Sequence, residues 1–411
     1  MVWLAQLPEA IRQYILVTFN YWAFTLTDGA LRMLVVLYFY GLGYSPLSIA
    51  LLFVFYELFG VITNLIGGWL GARLGLNRTM NMGLFLQICA LAMLLVPTAW
   101  LSVPWVMAAQ ALSGIAKDLN KMSAKSAIKL LVPKDAQGQL YQWVALLTGS
   151  KNALKGAGFF LGGALLSAFG FKGAVLGMAT ALTLVWLFSL ASLSKDMGKA
   201  KTKPKFTQVF SKSKAINYLS AARLFLFGSR DVWFVVALPV YLASSFGWEH
   251  VYVSGFIALW IVGYGLVQAL APKLSGTKNN QAPSGQHALR WALLLCAVPF
   301  GIGLCLSLGI YPQQALIGGL MLFGALFAIN SSLHSYLIVS YASDEGVSLD
   351  VGFYYMANAM GRLLGTILSG YLFQAYGLAT CLYVSAAFIA ITAIISLGLP
   401  KHHPSQSQSA T

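Results

Sequence analysis

In a chain of 411 residues, 58% hydrophobic and only 9% charged side chains leave too little polar surface for a water-soluble fold. The formal charge of +15 would suit nucleic acid, but the bases sort by membrane side, between apolar runs of about 20 residues that can cross a hydrocarbon core about 30 Å thick. These features predict an all-α integral membrane protein of about twelve transmembrane helices, with the lipid bilayer as its surroundings, no soluble domain and no nucleic-acid partner.

The first predicted span, 14–40, carries Asn20, Asp28 and Arg32. Asp28 and Arg32 are four residues apart and share a helix face, acid before base, so a structural ion pair stands beside an anion or proton site as a reading. Span 46–69 contains Asn64 and Glu57, the acid with the weakest case for a partner and the best for titration. Span 79–97 has no charge beyond its flanks. In span 103–126 Lys117 and Asp118 begin a stripe that continues through Lys121, Lys125 and Lys129, the last two reading as an interfacial basic face. Span 140–167 places Lys151 and Lys155 on one face beside Asn152, and 172–193 completes a first half, 1–193.

Residues 194–214 form the longest polar stretch, rich in lysine, and read as a cytoplasmic linker. The second half, 215–411, begins with span 215–243, which holds Arg223, Arg230 and Asp231; the last two are candidates for a clamp between helices or for a site. Spans 251–271, 290–310, 313–341, 350–374 and 378–399 follow, with Gln268, Asn330, His334, Asn358 and Arg362 at intramembrane depth. From about 400 the Ser- and Gln-rich tail has the composition of a disordered end. A shift of 204 residues lays Gly43-Tyr44 on Gly247-Trp248 and Asn64 on Gln268; a shift of 207 lays Gly158, Gly163 and Gly170 on Gly365, Gly370 and Gly377, and Lys155 on Arg362. Two pseudo-symmetric six-helix halves with a site near midplane would give this pattern.

Seven bases in the spans, Arg32, Lys117, Lys151, Lys155, Arg223, Arg230 and Arg362, face four acids, Asp28, Glu57, Asp118 and Asp231. An isolated charge in hydrocarbon costs about 3 kcal/mol on the most lenient scale, so such residues pair with each other or line a watered cavity. The positive surplus points to an anionic ligand, with Arg32, Lys117, Lys151, Lys155, Arg230 and Arg362 as candidate contacts and Asn64, Asn152 and Asn358 for its hydroxyls. Lys155 and Arg362 have no acid nearby on their own helices, which favours substrate contact for them. Asp28, Glu57, Asp231 and His334 are candidate proton-coupling groups, with a satisfied core histidine the commoner reading for His334. No G-x-x-x-x-G-K-[ST] loop is present, so the expected energy source is an ion gradient and no cofactor is expected. Cys89, Cys296, Cys305 and Cys381 are scattered, without the spacing of a metal site, and no nucleophile, base and metal constellation argues for an enzyme.

Between spans two and three, Gly68-Trp69-Leu70-Gly71-Ala72-Arg73-Leu74-Gly75-Leu76-Asn77-Arg78 resembles the G-x-L-A-D-R-x-G-R-K-x loop of the major facilitator superfamily, with Ala72 in place of the acid. Gln110-Ala111-Leu112-Ser113-Gly114 resembles that family's R-x-L-x-G, with Gln110 for arginine, and Gly158 to Gly163 resembles its antiporter signature, with Phe159 for proline. Four longer strings, residues 20–32, 113–129, 148–156 and 230–236, are similar to the organoarsenical efflux permeases of the ArsJ type.

That resemblance implies export of 1-arseno-3-phosphoglycerate, formed when a glyceraldehyde-3-phosphate dehydrogenase uses arsenate in place of phosphate. It implies arsenate resistance, a functional link to that dehydrogenase and a bacterial inner membrane; the chain is expected to work as a monomer. The positive-inside pattern adds both termini in the cytoplasm, and the first span has no basic region before it to make a cleavable signal peptide. An organophosphate or anion exchanger remains the alternative, with multidrug efflux or a non-transport membrane protein behind it.

Overall fold

The computed structural model describes residues 8–43, 52–132, 136–194, 212–248, 250–275, 282–344 and 346–400, and every regular element among them is helical. These elements are α1 (Glu9–Gly41), α2 (Val54–Leu74), α3 (Leu76–Met93), α4 (Val103–Leu131), α5 (Gln137–Ser192), α6 (Lys214–Phe234), α7 (Ala237–Phe246), α8 (His250–Leu274), α9 (Gly285–Leu308), α10 (Pro312–Tyr341) and α11 (Val347–Ser396), with one 3-10 turn at Thr98–Trp100. Most of the expected linker (195–211), the tail from 401, Lys134, Lys278, Tyr44 and the start of the second expected span lie outside the described residues.

Long apolar runs become long helices because hydrocarbon satisfies no backbone hydrogen bond, so each crossing segment must satisfy its own. Six stretches among the described residues are long and apolar enough to cross a membrane: Ile11–Phe39, Gly138–Ser192, Gly255–Leu274, Gly285–Leu308, Pro312–Tyr341 and Val347–Ser396. At 56 and 50 residues, α5 and α11 are each far longer than one crossing. Each is interrupted by a single non-helical residue, Gly170 (φ 66°, ψ 179°) in α5 and Gly377 (φ 79°, ψ 179°) in α11. Only glycine takes such positive φ without steric penalty. Each long helix therefore contains two of the expected spans, and the two breaks fall on the glycines that the shift of 207 superposes.

Expected span 215–243 is not one helix. It divides into α6 and α7 at Val235 and Val236, and the amides of Val236 and Ala237 donate to Ser369 Oγ at 3.3 and 3.1 Å. A hydroxyl from another helix thus takes up backbone groups that the break leaves without a helical partner.

The described residues form two compact units. The first draws on Met1–Pro133, Ser150–Ser211 and Ala342–Met356, the second on Lys134–Gly149, Lys212–Tyr341 and Ala357–Thr411. Within the first, Phe24, Leu31, Leu34, Leu84, Val106 and Phe171 belong to the core. Ala72, at the place of the family loop's acid, packs in a small apolar cluster with Leu349, Leu65 and Trp69. In the second unit the core is aromatic: the Trp233 ring meets Phe323 at 5.1 Å and Trp260 at 5.9 Å, both edge-on, and Trp260 Nε1 donates to Leu320 O at 2.8 Å.

Small residues set the helix crossings. A Cβ on Gly158 would meet Leu26 O, Ala30 N and Gly29 Cα of α1; one on Gly365 would meet Gly228 O, Asp231 Cβ and Val232 N of α6. These contact sets correspond with an offset of 202, as 228 against 26, so the first limb of α5 lies on α1 as the first limb of α11 lies on α6. Gly361 is the tightest of these positions, since a Cβ there would sit inside the van der Waals shell of Leu224 O. Gly361→Ala is expected to destabilise the protein by about 1–3 kcal/mol through overpacking. Gly370→Ala, where nothing lies within 4 Å, serves as the neutral comparison in thermal unfolding of the detergent-solubilised protein.

Candidate functional site

Each unit carries its own buried charge cluster. In the first, α1 contributes Asp28 and Arg32, α2 contributes Tyr56 and Glu57, and α4 contributes Lys117, Asp118 and Lys121. Tyr56, 2% exposed, is the hub. Its hydroxyl donates to the Asp28 carboxylate, 2.8 and 3.0 Å from the two oxygens. Its ring lies under the Arg32 guanidinium at 4.5 Å and under Lys117 Nζ at 3.8 Å, a cation–π arrangement on both counts.

The pairing differs from the one that spacing indicates. Arg32 Nη2 bonds Glu57 Oε1 at 3.1 Å, while the oxygens of Asp28 face the Tyr56 phenol. Glu57 thus has a firm partner, and Asp28 and Arg32 do not pair with each other. Asp118 takes Lys121 at 2.5 Å and Lys117 at 3.8 Å. Lys121 and Lys125 also lie over the Tyr355 ring, at 4.7 and 5.0 Å, and Lys129 reaches Asp344 at 3.9 Å and the Ala342 carbonyl. Lys125, expected at a polar interface, is buried at 2% exposure, its ammonium placed on an aromatic face.

Lys151, Asn152 and Lys155 are half-buried on the first limb of α5. Trp22 Nε1 of α1 donates to Ser150 Oγ at 2.8 Å, and the Lys155 carbonyl abuts Gly29, beside Asp28. The Lys155 ammonium lies 5.7 Å from the centre of the Phe159 ring. Asn64, fully buried, donates back to Gly60 O within its own helix.

In the second unit Asp231 is 1% exposed and serves two arginines. Arg230 reaches its Oδ1 through Nε at 2.6 Å and Nη2 at 2.5 Å, and Arg362 Nε reaches Oδ2 at 3.1 Å. Arg362 has no acid within three turns on its own helix, where Asp350 lies twelve residues away, but it has one across the crossing with α6. Spacing within a helix reports pairs one turn apart, so this partner 131 residues away was beyond its reach. The same bond makes Asp231 a clamp between α6 and α11. Arg230 also faces the Phe227 ring at 5.0 Å.

Arg223, 2% exposed, donates from Nε to Asn358 Oδ1 at 2.8 Å and from Nη1 to Ser331 O and Oγ at 3.2 and 3.3 Å, with Phe227 against its other face at 3.8 Å. Asn358 is therefore an arginine partner. Gln268 Nε2 donates to Ser331 Oγ at 3.1 Å. His334, one turn from Ser331, is fully buried, and neither ring nitrogen has a hydrogen-bond partner among the described residues. Among the described residues of this unit Asp231 is the sole carboxylate side chain, set against Arg223, Arg230 and Arg362 in the membrane helices.

Sequence reasoning missed Tyr56 and Tyr355 as the platforms of the lysines. One aromatic among many in an apolar helix carries no signal of that use. Asp118 and Arg223 stood out as buried charges but were not among the candidate contacts, and both prove to be central to their clusters.

Two lysines on one carboxylate, and two arginines on another, are arrangements that hold positive charge inside membrane helices. The chain belongs to the major facilitator superfamily, whose model matches residues 15–285 and 284–411. It is a multi-pass membrane transporter and not an enzyme. Its fold is similar to that of the human organic anion transporter MFSD10 (TETRAN), at 15% identity and TM-score 0.75 over 95% of this chain and 100% of that one. It is also similar to the Escherichia coli fucose:proton symporter FucP, at 14% identity and TM-score 0.73 over 95% and 99%. A bacterial homologue of the iron transporter ferroportin, in an outward-facing state, matches at 14% identity and TM-score 0.74 over 93% and 98%. No curated protein matches the sequence significantly.

Proposed function

We propose that this transporter exports an organic oxyanion, 1-arseno-3-phosphoglycerate, across a bacterial inner membrane, with both termini and the basic stretch 194–214 in the cytoplasm. The observation that carries the reading is three intramembrane arginines, Arg223, Arg230 and Arg362, set against one carboxylate among the described residues of their unit, Asp231, which bonds the last two. A surplus of guanidinium charge at membrane depth suits a ligand with more than one anionic group, and guanidinium forks match phosphate and arsenate oxygens. Lys117, Lys151 and Lys155 add point charges in the first unit. Pentavalent arsenic as an oxyanion calls for cationic donors and not thiolates, which agrees with four cysteines scattered along the chain without the close spacing of a thiolate site.

Proton coupling is assigned to the Arg32 and Glu57 pair. Protonating Glu57 would remove the countercharge held 3.1 Å from Arg32 and leave that guanidinium to an anion. Asp28, held by the Tyr56 phenol, stays with the scaffold in this scheme.

Everted vesicles supplied with glyceraldehyde 3-phosphate, NAD, the dehydrogenase and labelled arsenate are expected to accumulate label only when all are present. Accumulation that ignores the dehydrogenase would overturn the substrate assignment. Full suppression by 3-phosphoglycerate, with that ester itself transported, would favour the phosphate-ester exchanger.

A further inference from the structure

The first unit bears a groove of about 480 Å³ between α3 and the second limb of α5. On α3, Asn77, Arg78 and Asn81 line one end of it and Met82 and Phe85 the rest, facing Trp186 and Leu190 of α5 and Leu193 and Ser194 just beyond it. Along α3 the lining thus passes from polar to apolar, while the facing wall is apolar at Trp186, Leu190 and Leu193. From Arg78 to Phe85 the helix rises about 10 Å at 1.5 Å per residue.

The wall is built rather than incidental. Trp186 Nε1 donates to Asn81 O at 3.1 Å, and its ring meets Phe85 at 5.4 Å. Phe85 and Leu190 are nevertheless 47% and 44% exposed, so the apolar part is open to an occupant. Neither α3 nor residues 171–194 contain Asp or Glu. At Ser194, which also lines the groove, the chain runs on into a sequence with seven lysines between 195 and 214 and one acid, Asp196.

We propose that this groove binds an anionic glycerophospholipid, its phosphate at Arg78 and an acyl chain along Phe85, Trp186 and Leu190. Guanidinium recognises the phosphate oxygens, and the apolar wall gives the chain a seat that free phosphate would leave empty. A zwitterionic lipid brings the same phosphate but carries an ammonium into a cationic field. A base in direct contact with the lipid phosphate strengthens attachment of an anionic lipid about fivefold, whereas one outside the groove does not act on the seated lipid.

Native mass spectrometry of the full-length protein with equal phosphatidylglycerol and phosphatidylcholine tests the assignment. Phosphatidylglycerol is expected to be retained preferentially, and Arg78→Gln to reduce that retention about fivefold. Arg73→Gln removes an exposed base that sits over the Trp69 ring, outside the groove, and is expected to change nothing. The double variant Phe85→Ser/Leu190→Ser is expected to lower retention while Arg78 remains. Equal retention of the two lipids, an Arg73→Gln loss as large as that of Arg78→Gln, or undiminished retention in the double variant would each overturn the site.

Discussion

Asp231→Asn is expected to lower the stability of the folded protein by about 3 kcal/mol or more, and transport would fall with it. The side chain is 1% exposed and is the common partner of Arg230 and Arg362, which reach it at 2.6 and 3.1 Å. Asparagine keeps the shape and an acceptor oxygen but removes the charge, so two guanidiniums would face each other across a neutral amide. Leaving charge without its compensation in a dry environment is the costly way to break such a group. Thermal unfolding in detergent measures the loss. Combining Asp231→Asn with Arg362→Gln should recover part of it, because the second change removes one of the repelling charges. A single variant as heat-resistant as the parent would show that Asp231 is not what holds the arginines together.

Arg362→Ala is expected to give the opposite profile, transport lost by about 100-fold with the fold retained, the size of effect that follows from truncating a charged contact to a ligand. Asp231 would still be neutralised by Arg230, so no buried charge is stranded. At 30% side-chain exposure, Arg362 is more open than Arg230 at 16%, and it therefore has the stronger case for meeting substrate. Arg362→Lys keeps the charge but loses the planar fork, and should restore only part of the rate. Unchanged uptake of the arsenic ester by correctly folded Arg362→Ala would remove the arginine from the site and weaken the anion reading as a whole.

The helices were legible because apolar length and turn glycines are local properties. Gly170 and Gly377 fall in the gaps between expected spans, and the structure breaks its two longest helices there. The division of α6 from α7 was not legible, since Val235 and Val236 carry no breaker chemistry and the Ser369 hydroxyl that accepts from the second helix lies 133 residues away. The same limit governs the charges. Four-residue spacing says which side chains on one helix can meet, so it offered Asp28 to Arg32, whereas the guanidinium turned to Glu57 on the neighbouring helix. Asp231 with Arg362, and Tyr56 beneath two cations, are tertiary arrangements without a trace in local pattern.

Turning on a single residue leaves no slack. At Gly170 and Gly377 one left-handed backbone conformation separates helix from helix, so an epitope or protease site inserted at either point would have to be absorbed by the flanking rods, shifting the glycine seams at Gly158 or Gly365. Reporter tags for mapping which face of the bilayer each connection occupies therefore do not belong at these two glycines.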